Sequence, residues 1–485
     1  MYGVAFMHMI RMKIKSIKLN VIANALLKGS MIILPLITFP YITRTIHAEK
    51  YGILALCYSV ISYFDMFAAL GVSVYAIREG ARLRNDREKI SQFSSEVFSI
   101  NILSTLLSYI ALMALIYLWQ PGTDYKKILL IYSIEIVATT ISVEWIYNIF
   151  EEYVYITIRT IALQTVKIMM IFVLIKQESD FYLSAVIDAL FFFSIGIINF
   201  LRSKRYVDLR LILSKKIFAH LRPILVLFAN TLMISIYVNL DITMLGLMQG
   251  DAVTGVYKVT TKIYSAVKAM VNGITVVFIP RLSGYIGQNK KTQYDDLLNK
   301  LLLALLVVVA PLVVGLIMTS SSVLLLVSGE EYLSGSISLI ILAFTLCIAM
   351  VSNVLLNAVL IIFHREKKAL QITTLSSVIN VVLNLVFIPM FSLNGAAFTT
   401  LLSELTVMIL AFFSVRDILK VKLEIGVIFN VLIGCAAIVC GCLFIDAMNL
   451  SNTASLFIKV IASGLLYILI LLPNRRLRQR FMIRK

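Results

Sequence analysis

The chain has 485 residues, 60% of them hydrophobic and only 14% charged, a balance that excludes an ordinary soluble domain. A formal net charge of +18 would by itself suit a nucleic-acid binder. Its basic residues, however, sit in short connections between long apolar runs, where they meet anionic lipid headgroups, so membrane lipids are the expected partner and nucleic acid is not.

Apolar runs of about 20 residues, the length that crosses a ~30 Å hydrocarbon core as a helix, start near Asn20, Tyr51, Ser94, Lys127, Arg159, Phe181, Pro223, Thr254, Asn299, Ser334, Ala369, Asn394, Gly426 and Thr453. The expected fold class is therefore an all-α polytopic membrane protein of fourteen spans. The connections alternate in charge. The N-terminal arm, with Arg11, Lys13, Lys15 and Lys18, the even-numbered connections and the tail after Pro473 hold 32 of the 44 Lys and Arg residues. The odd-numbered connections hold five, Arg44, Lys50, Lys126, Lys127 and Lys176, beside acids such as Asp124, Asp251, Glu330 and Asp446. Positive charge stays inside, so both termini are expected in the cytoplasm.

The arm before Asn20 lacks the long apolar core of a secretory signal, and no cleavage is expected. Cys57, Cys347, Cys435, Cys440 and Cys442 all fall in apolar spans and read as small packing residues. His8, His47, His220 and His364 are scattered, and no phosphate-binding G-x-x-x-x-G-K-[ST] loop is present. The outer connections are too short to fold an active-site domain. These features point to a transporter that needs no cofactor, driven by a gradient of H+ or Na+ or by substrate itself.

Seven basic residues lie inside spans: Lys28, Arg159, Lys167, Lys258, Lys262, Lys268 and Lys459. A cation facing lipid at mid-depth costs about 2.5 to 3.5 kcal/mol on insertion scales, so some must face a polar interior. Lys459 is near a span end and is expected to snorkel, and Arg159 to be interfacial. Span 8 differs. On a helix of 3.6 residues per turn, Lys258, Thr261, Lys262, Ser265, Lys268 and Asn272 share an arc of about 120°. Lys268, some fourteen residues or about 21 Å into the span, is beyond the reach of either surface. This arc predicts a hydrated, cationic lumen.

Weaker polar stripes lie on span 1 (Asn20, Asn24, Lys28), span 7 (Asn230, Tyr237, Asp241) and span 11 (Thr373, Ser377, Asn380, Asn384). For the last two, lumen lining and interhelical hydrogen bonding are equally good readings. Among the intramembrane acids, which include Glu135, Glu144, Asp188 and Glu404, Asp65 and Asp241 are the candidates for a coupling ion, against a salt-bridge or packing role. A shift of 203 residues lays Gly52 on Gly255, Ser62 on Ser265 and Arg78 on Arg281, a faint repeat that suggests two parallel six-span halves. The expected division is 1–205 (spans 1–6), 206–222 (a basic cytoplasmic connection), 223–420 (spans 7–12) and 421–485 (spans 13 and 14 with a basic tail).

Several runs carry a family resemblance: Pro40 through Arg44 to Tyr51-Gly52, Trp145, Glu151 to Arg159, Asp180-Phe181-Tyr182, His220 to Pro223, Tyr237 to Leu245, Gly255-Val256-Tyr257 and Ile279 to Ser283. Over roughly residues 20 to 420 the chain resembles the polysaccharide repeat-unit flippases of Wzx type, which serve O-antigen, capsule and exopolysaccharide synthesis. The resemblance implies the fold of the multidrug/oligosaccharidyl-lipid/polysaccharide exporters, two pseudo-symmetric bundles in a V, here with two C-terminal helices. It also implies a substrate, a polyprenyl-pyrophosphate oligosaccharide moved from the cytoplasmic to the outer leaflet, and polysaccharide polymerase and chain-length proteins as partners. A pyrophosphate crossing low dielectric needs cations. The candidate substrate contacts are Lys258, Lys262 and Lys268, with Lys28, Asn24 and Asn272, while Arg78 and Arg281 guard the cytoplasmic mouth. The competing readings are a peptidoglycan-precursor flippase, a multidrug/cation antiporter, whose cleft should be acidic, and a membrane polymerase or ligase, which should carry a long outer loop.

Overall fold

A computed structural model describes residues 17–212, 214, 217–421, 424–448 and 450–471, and every regular element among them is helical. The basic residues Arg11, Lys13 and Lys15, His8 and the tail beyond Pro473 lie outside the described residues, as do the side chains of Lys18, Asn230 and Tyr237. In chain order the α-helices are α1 (Ile17–Ala69), α2 (Val72–Leu83), α3 (Arg87–Trp119), α4 (Thr123–Ser142), α5 (Glu144–Ile149), α6 (Tyr153–Leu174), α7 (Phe181–Ser203), α8 (Ile217–Met248), α9 (Asp251–Gly287), α10 (Lys291–Ser328), α11 (Ser336–Asn353), α12 (Glu366–Val415), α13 (Ile425–Ala447) and α14 (Asn452–Leu471).

Two of these helices each combine two expected spans. Backbone angles at His47 (φ 60°, ψ 171°) and Ser392 (φ 52°, ψ −132°) leave helical geometry, and Pro40 and Pro389 lie shortly before them. Eleven helical stretches among the described residues are long and apolar enough to cross a membrane, and the two kinks each divide one of them. The span expected from Pro223 falls in α8 (Ile217–Met248), whose 32 residues are long enough for a crossing and include side chains outside the described ones. Large apolar side chains such as Leu107, Val173, Phe429 and Phe444 are exposed along these helices, as a protein solvated by acyl chains requires. The chain is a multi-pass membrane protein.

The described residues form two compact units, one made of residues up to His47 and Leu56–Ser235, the other of Ala48–Ala55 and residues from Ile236 onward. In the first unit α4 packs along α7, and a core of Val72, Tyr75, Phe93, Val97, Trp145 and Ile224 joins α2, α3, α5 and α8. In the second, α9 to α12 pack in sequence, and α13 and α14 pair with each other and against α10.

The basic connection after α7 is tied down in an unexpected way. Ser91, Ser95 and Ser99, at spacing four on α3, accept hydrogen bonds from the backbone N–H groups of Asp208, Arg210 and Ile212 at 3.0, 3.0 and 2.8 Å. One turn-and-a-bit of helix, four residues, rises about 6 Å, and two residues of extended chain span about 6.6 Å, so the two repeats stay in step for three bonds. His220 closes the end of the clasp: its Nε2 is 2.8 Å from Glu96 and its Nδ1 2.7 Å from the Tyr75 hydroxyl.

Two expectations about span charges are corrected. Lys459 does not snorkel; it is 3% exposed, and its Nζ lies 2.5 Å from Asp446 Oδ1. Arg159 is not interfacial but buried, donating to Glu144 at 2.9 Å and to Asn199 at 2.6 Å. A buried cation survives only where partners replace its water.

Candidate functional site

The polar arc of span 8 is carried by α9. Val256, Tyr257, Val259, Thr260 and Ile263 are buried, so the helix packs through that side and turns Lys258, Lys262 and Ser265 away from it. Lys258 and Lys262 are half-buried and one turn apart, close enough to repel each other. Two like charges one turn apart on a membrane-crossing helix raise each other's energy.

Lys268 has a different environment. Its Nζ is 3.0 Å from Glu404 Oε1 on α12 and 5.6 Å from the centre of the Tyr264 ring. Glu404 neutralises it and fixes its direction. Further along α9, Asn272 and Thr275 each bury a side-chain oxygen that has no hydrogen-bond partner among the described residues. Arg281 is exposed. Lys28, exposed, and Asn24, half-buried, lie on α1 in the first unit, as does Arg78 on α2, which is exposed and 3.0 Å from Glu79.

The two candidate ion-binding acids occupy different surroundings. In the second unit, Asp241 is buried and accepts hydrogen bonds from Asn384 Nδ2 at 2.6 Å, Thr400 at 2.9 Å and the Tyr257 hydroxyl at 3.3 Å. Asn384 also receives a bond from Thr399. The polar stripe of Asn380 and Asn384 is thus internal to the helix packing. In the first unit, Asp65 and Glu135 each bury a carboxylate oxygen without a hydrogen-bond partner among the described residues, and Lys167 Nζ lies 2.5 Å from Asp188 beside them. Spacing alone could not reveal Glu404 as the partner of Lys268, because the two are 136 positions apart.

Residues 17–286 match the model of the family described as polysaccharide biosynthesis protein, which is more than half of the chain. The chain belongs to that family. This polysaccharide biosynthesis protein is 24% identical over 404 residues to a protein of Escherichia coli (strain K12) provisionally named an O-antigen transporter, covering 83% of this chain and 97% of that one. Among solved structures it is similar to a lipid II flippase, MurJ, in an inward closed conformation, with a TM-score of 0.75 at 16% identity over 95% of this chain and 99% of the other. It is also similar to an inward-facing multidrug resistance MATE family transporter, with a TM-score of 0.56 at 14% identity over 81% and 97%. The fold is that of these transporters.

Proposed function

We propose that the chain is a flippase, translocating polyprenyl-pyrophosphate-linked oligosaccharide repeat units from the cytoplasmic to the outer leaflet of a bacterial inner membrane by alternating access. The observation that carries the reading is the lysine pair of α9. Lys258 and Lys262 repel one another inside a membrane-crossing helix, an arrangement that an anion between them relieves. A pyrophosphate supplies that anion. Family membership and the O-antigen relative support the carbohydrate part. The membrane fold suits the lipid part, since a polyprenyl tail can stay in the bilayer while the head group crosses.

In this reading Lys28 and Asn24 in the first unit, like Arg78 there and Arg281 in the second, are further candidate contacts for the anionic head group. Lys268, held and neutralised by Glu404, joins the neighbouring helix to α9 rather than meeting the head group directly. Both termini are cytoplasmic, and Asp65 or Asp241 takes the coupling proton or sodium ion. Polymerase and chain-length proteins would receive the product. The experiment is deletion of the gene followed by identification of the lipid-linked intermediate that accumulates. Complete repeat units on the inner leaflet are expected. Accumulation of peptidoglycan precursor instead would transfer the chain to the lipid II flippases, whose fold it also fits.

A further inference from the structure

Two positions separated by 203 residues share an unusual backbone. His47 has φ 60° and ψ 171°, and Gly250 has φ 90° and ψ 179°. Each immediately precedes a helical run, the second part of α1 after His47 and α9 after Gly250. The same shift pairs Ala48 with Asp251 and Gly52 with Gly255.

These four residues meet within the second unit, and they meet reciprocally. A Cβ on Gly52 would fall on the carbonyl oxygen of Asp251, while a Cβ on Gly255 would fall on the carbonyl oxygen of Ala48. Equal contacts exchanged between residues related by one sequence shift are the signature of a local two-fold axis, here passing between Gly52 and Gly255. Only glycine allows backbone to lie on backbone so closely. The contact also brings together two helix N-termini, whose dipoles carry the same sign. Glu331 offsets one of them, accepting a hydrogen bond from the Ala48 N–H at 3.1 Å. A seam of backbone on backbone that joins like-signed helix ends is suited to opening and closing.

We propose that Gly52 and Gly255 form the closed outer gate of the transport path, parting when substrate leaves. The proposal rests on the flippase reading for its orientation, which puts the Arg44–Lys50 connection on the outer side. Ala48–Ala55 belongs to the second unit although the residues on both sides of it belong to the first, so parting the seam frees that segment from its packing.

The test uses the full-length protein in cells, with its five cysteines replaced and a reporter, Ser265→Cys, on the lysine-bearing side of α9. Gly52→Ala and Gly255→Ala should raise labelling by an impermeant maleimide added outside several-fold and lower polysaccharide export. Unchanged labelling with normal export overturns the proposal. A second variant keeps the gate intact and joins Ala48→Cys to Asp251→Cys with a short cleavable bis-maleimide. Export should stop on cross-linking and return on cleavage, whereas full export through a completely cross-linked population overturns the gate, including where the glycine variants fail to reach the membrane. Labelling does not depend on substrate identity. If it rises as expected while no repeat unit accumulates on gene deletion, the seam stands and the substrate reading falls.

Discussion

At the scale of single residues, the lysines of α9 divide by what they touch. Lys258→Gln and Lys262→Gln should each abolish surface polysaccharide with protein level unchanged, measured by immunoblot of membranes alongside polysaccharide staining; normal export by both would remove the head-group site. Lys to Arg should retain part of the activity, because a diffuse phosphate charge asks for positive potential more than for one geometry. Lys268 calls for a different measurement. Glu404→Gln leaves its ammonium without a counter-charge and should cost up to about 3 kcal/mol, the low end for a broken buried pair because Lys268 is partly exposed. The double variant Lys268→Gln with Glu404→Gln should recover most of that loss in a thermal denaturation series. If the double variant is as unstable as the single, the pair carries no net interaction. That three lysines share one face of α9 was legible in the sequence, because helical spacing alone sets that arc. Their different partners were not, because Glu404 arrives from another helix.

At the scale of elements, the serine clasp shows what periodicity can and cannot disclose. Ser91, Ser95 and Ser99 stand at helical spacing, a signal present in the chain, yet nothing local says that their partner is an irregular connection rather than another helix. Replacing all three with Ala should leave helix content unchanged and accelerate amide exchange at Asp208, Arg210 and Ile212. Unchanged exchange would mean that the Arg87–Asp208 pair, at 3.5 Å, holds the segment instead. The start of α3 carries a pH signature. The Lys89 N–H and side chain hold Asp86, the N-cap, below the usual carboxylate range. Its folded value is depressed, so its contribution is present above the unfolded value, about pH 4, and is lost as pH falls through the folded one. The first turn of α3 should therefore exchange faster in acid, an effect that Asp86→Asn should reduce.

At the scale of the whole molecule, the charge pattern makes a topological statement that labelling can check. Cysteines placed at Asp124 and Glu330 should react with an impermeant reagent from outside, and one at Lys290 only after permeabilisation. A reversed result would invert the orientation on which the flippase direction depends. Transport that persists after collapse of both the proton and the sodium gradients would remove Asp65 and Asp241 from any coupling role. The alternation of charge in the connections organises the entire chain because each crossing reverses the side on which the next connection lies.

The sequence alone determined the membrane solvent, the helical class, the alternating connections and the repeat that relates Gly52 to Gly255, because hydropathy, charge and spacing act along the chain. Tertiary structure decided the pairing of Lys268 with Glu404 and of Lys459 with Asp446, the enclosure of Asp241 by Asn384 and Thr400, and the meeting of the two glycines. Those outcomes depend on which helices become neighbours. In a low-dielectric interior a charge or polar group is governed by the group opposite it, which can be more than a hundred residues away.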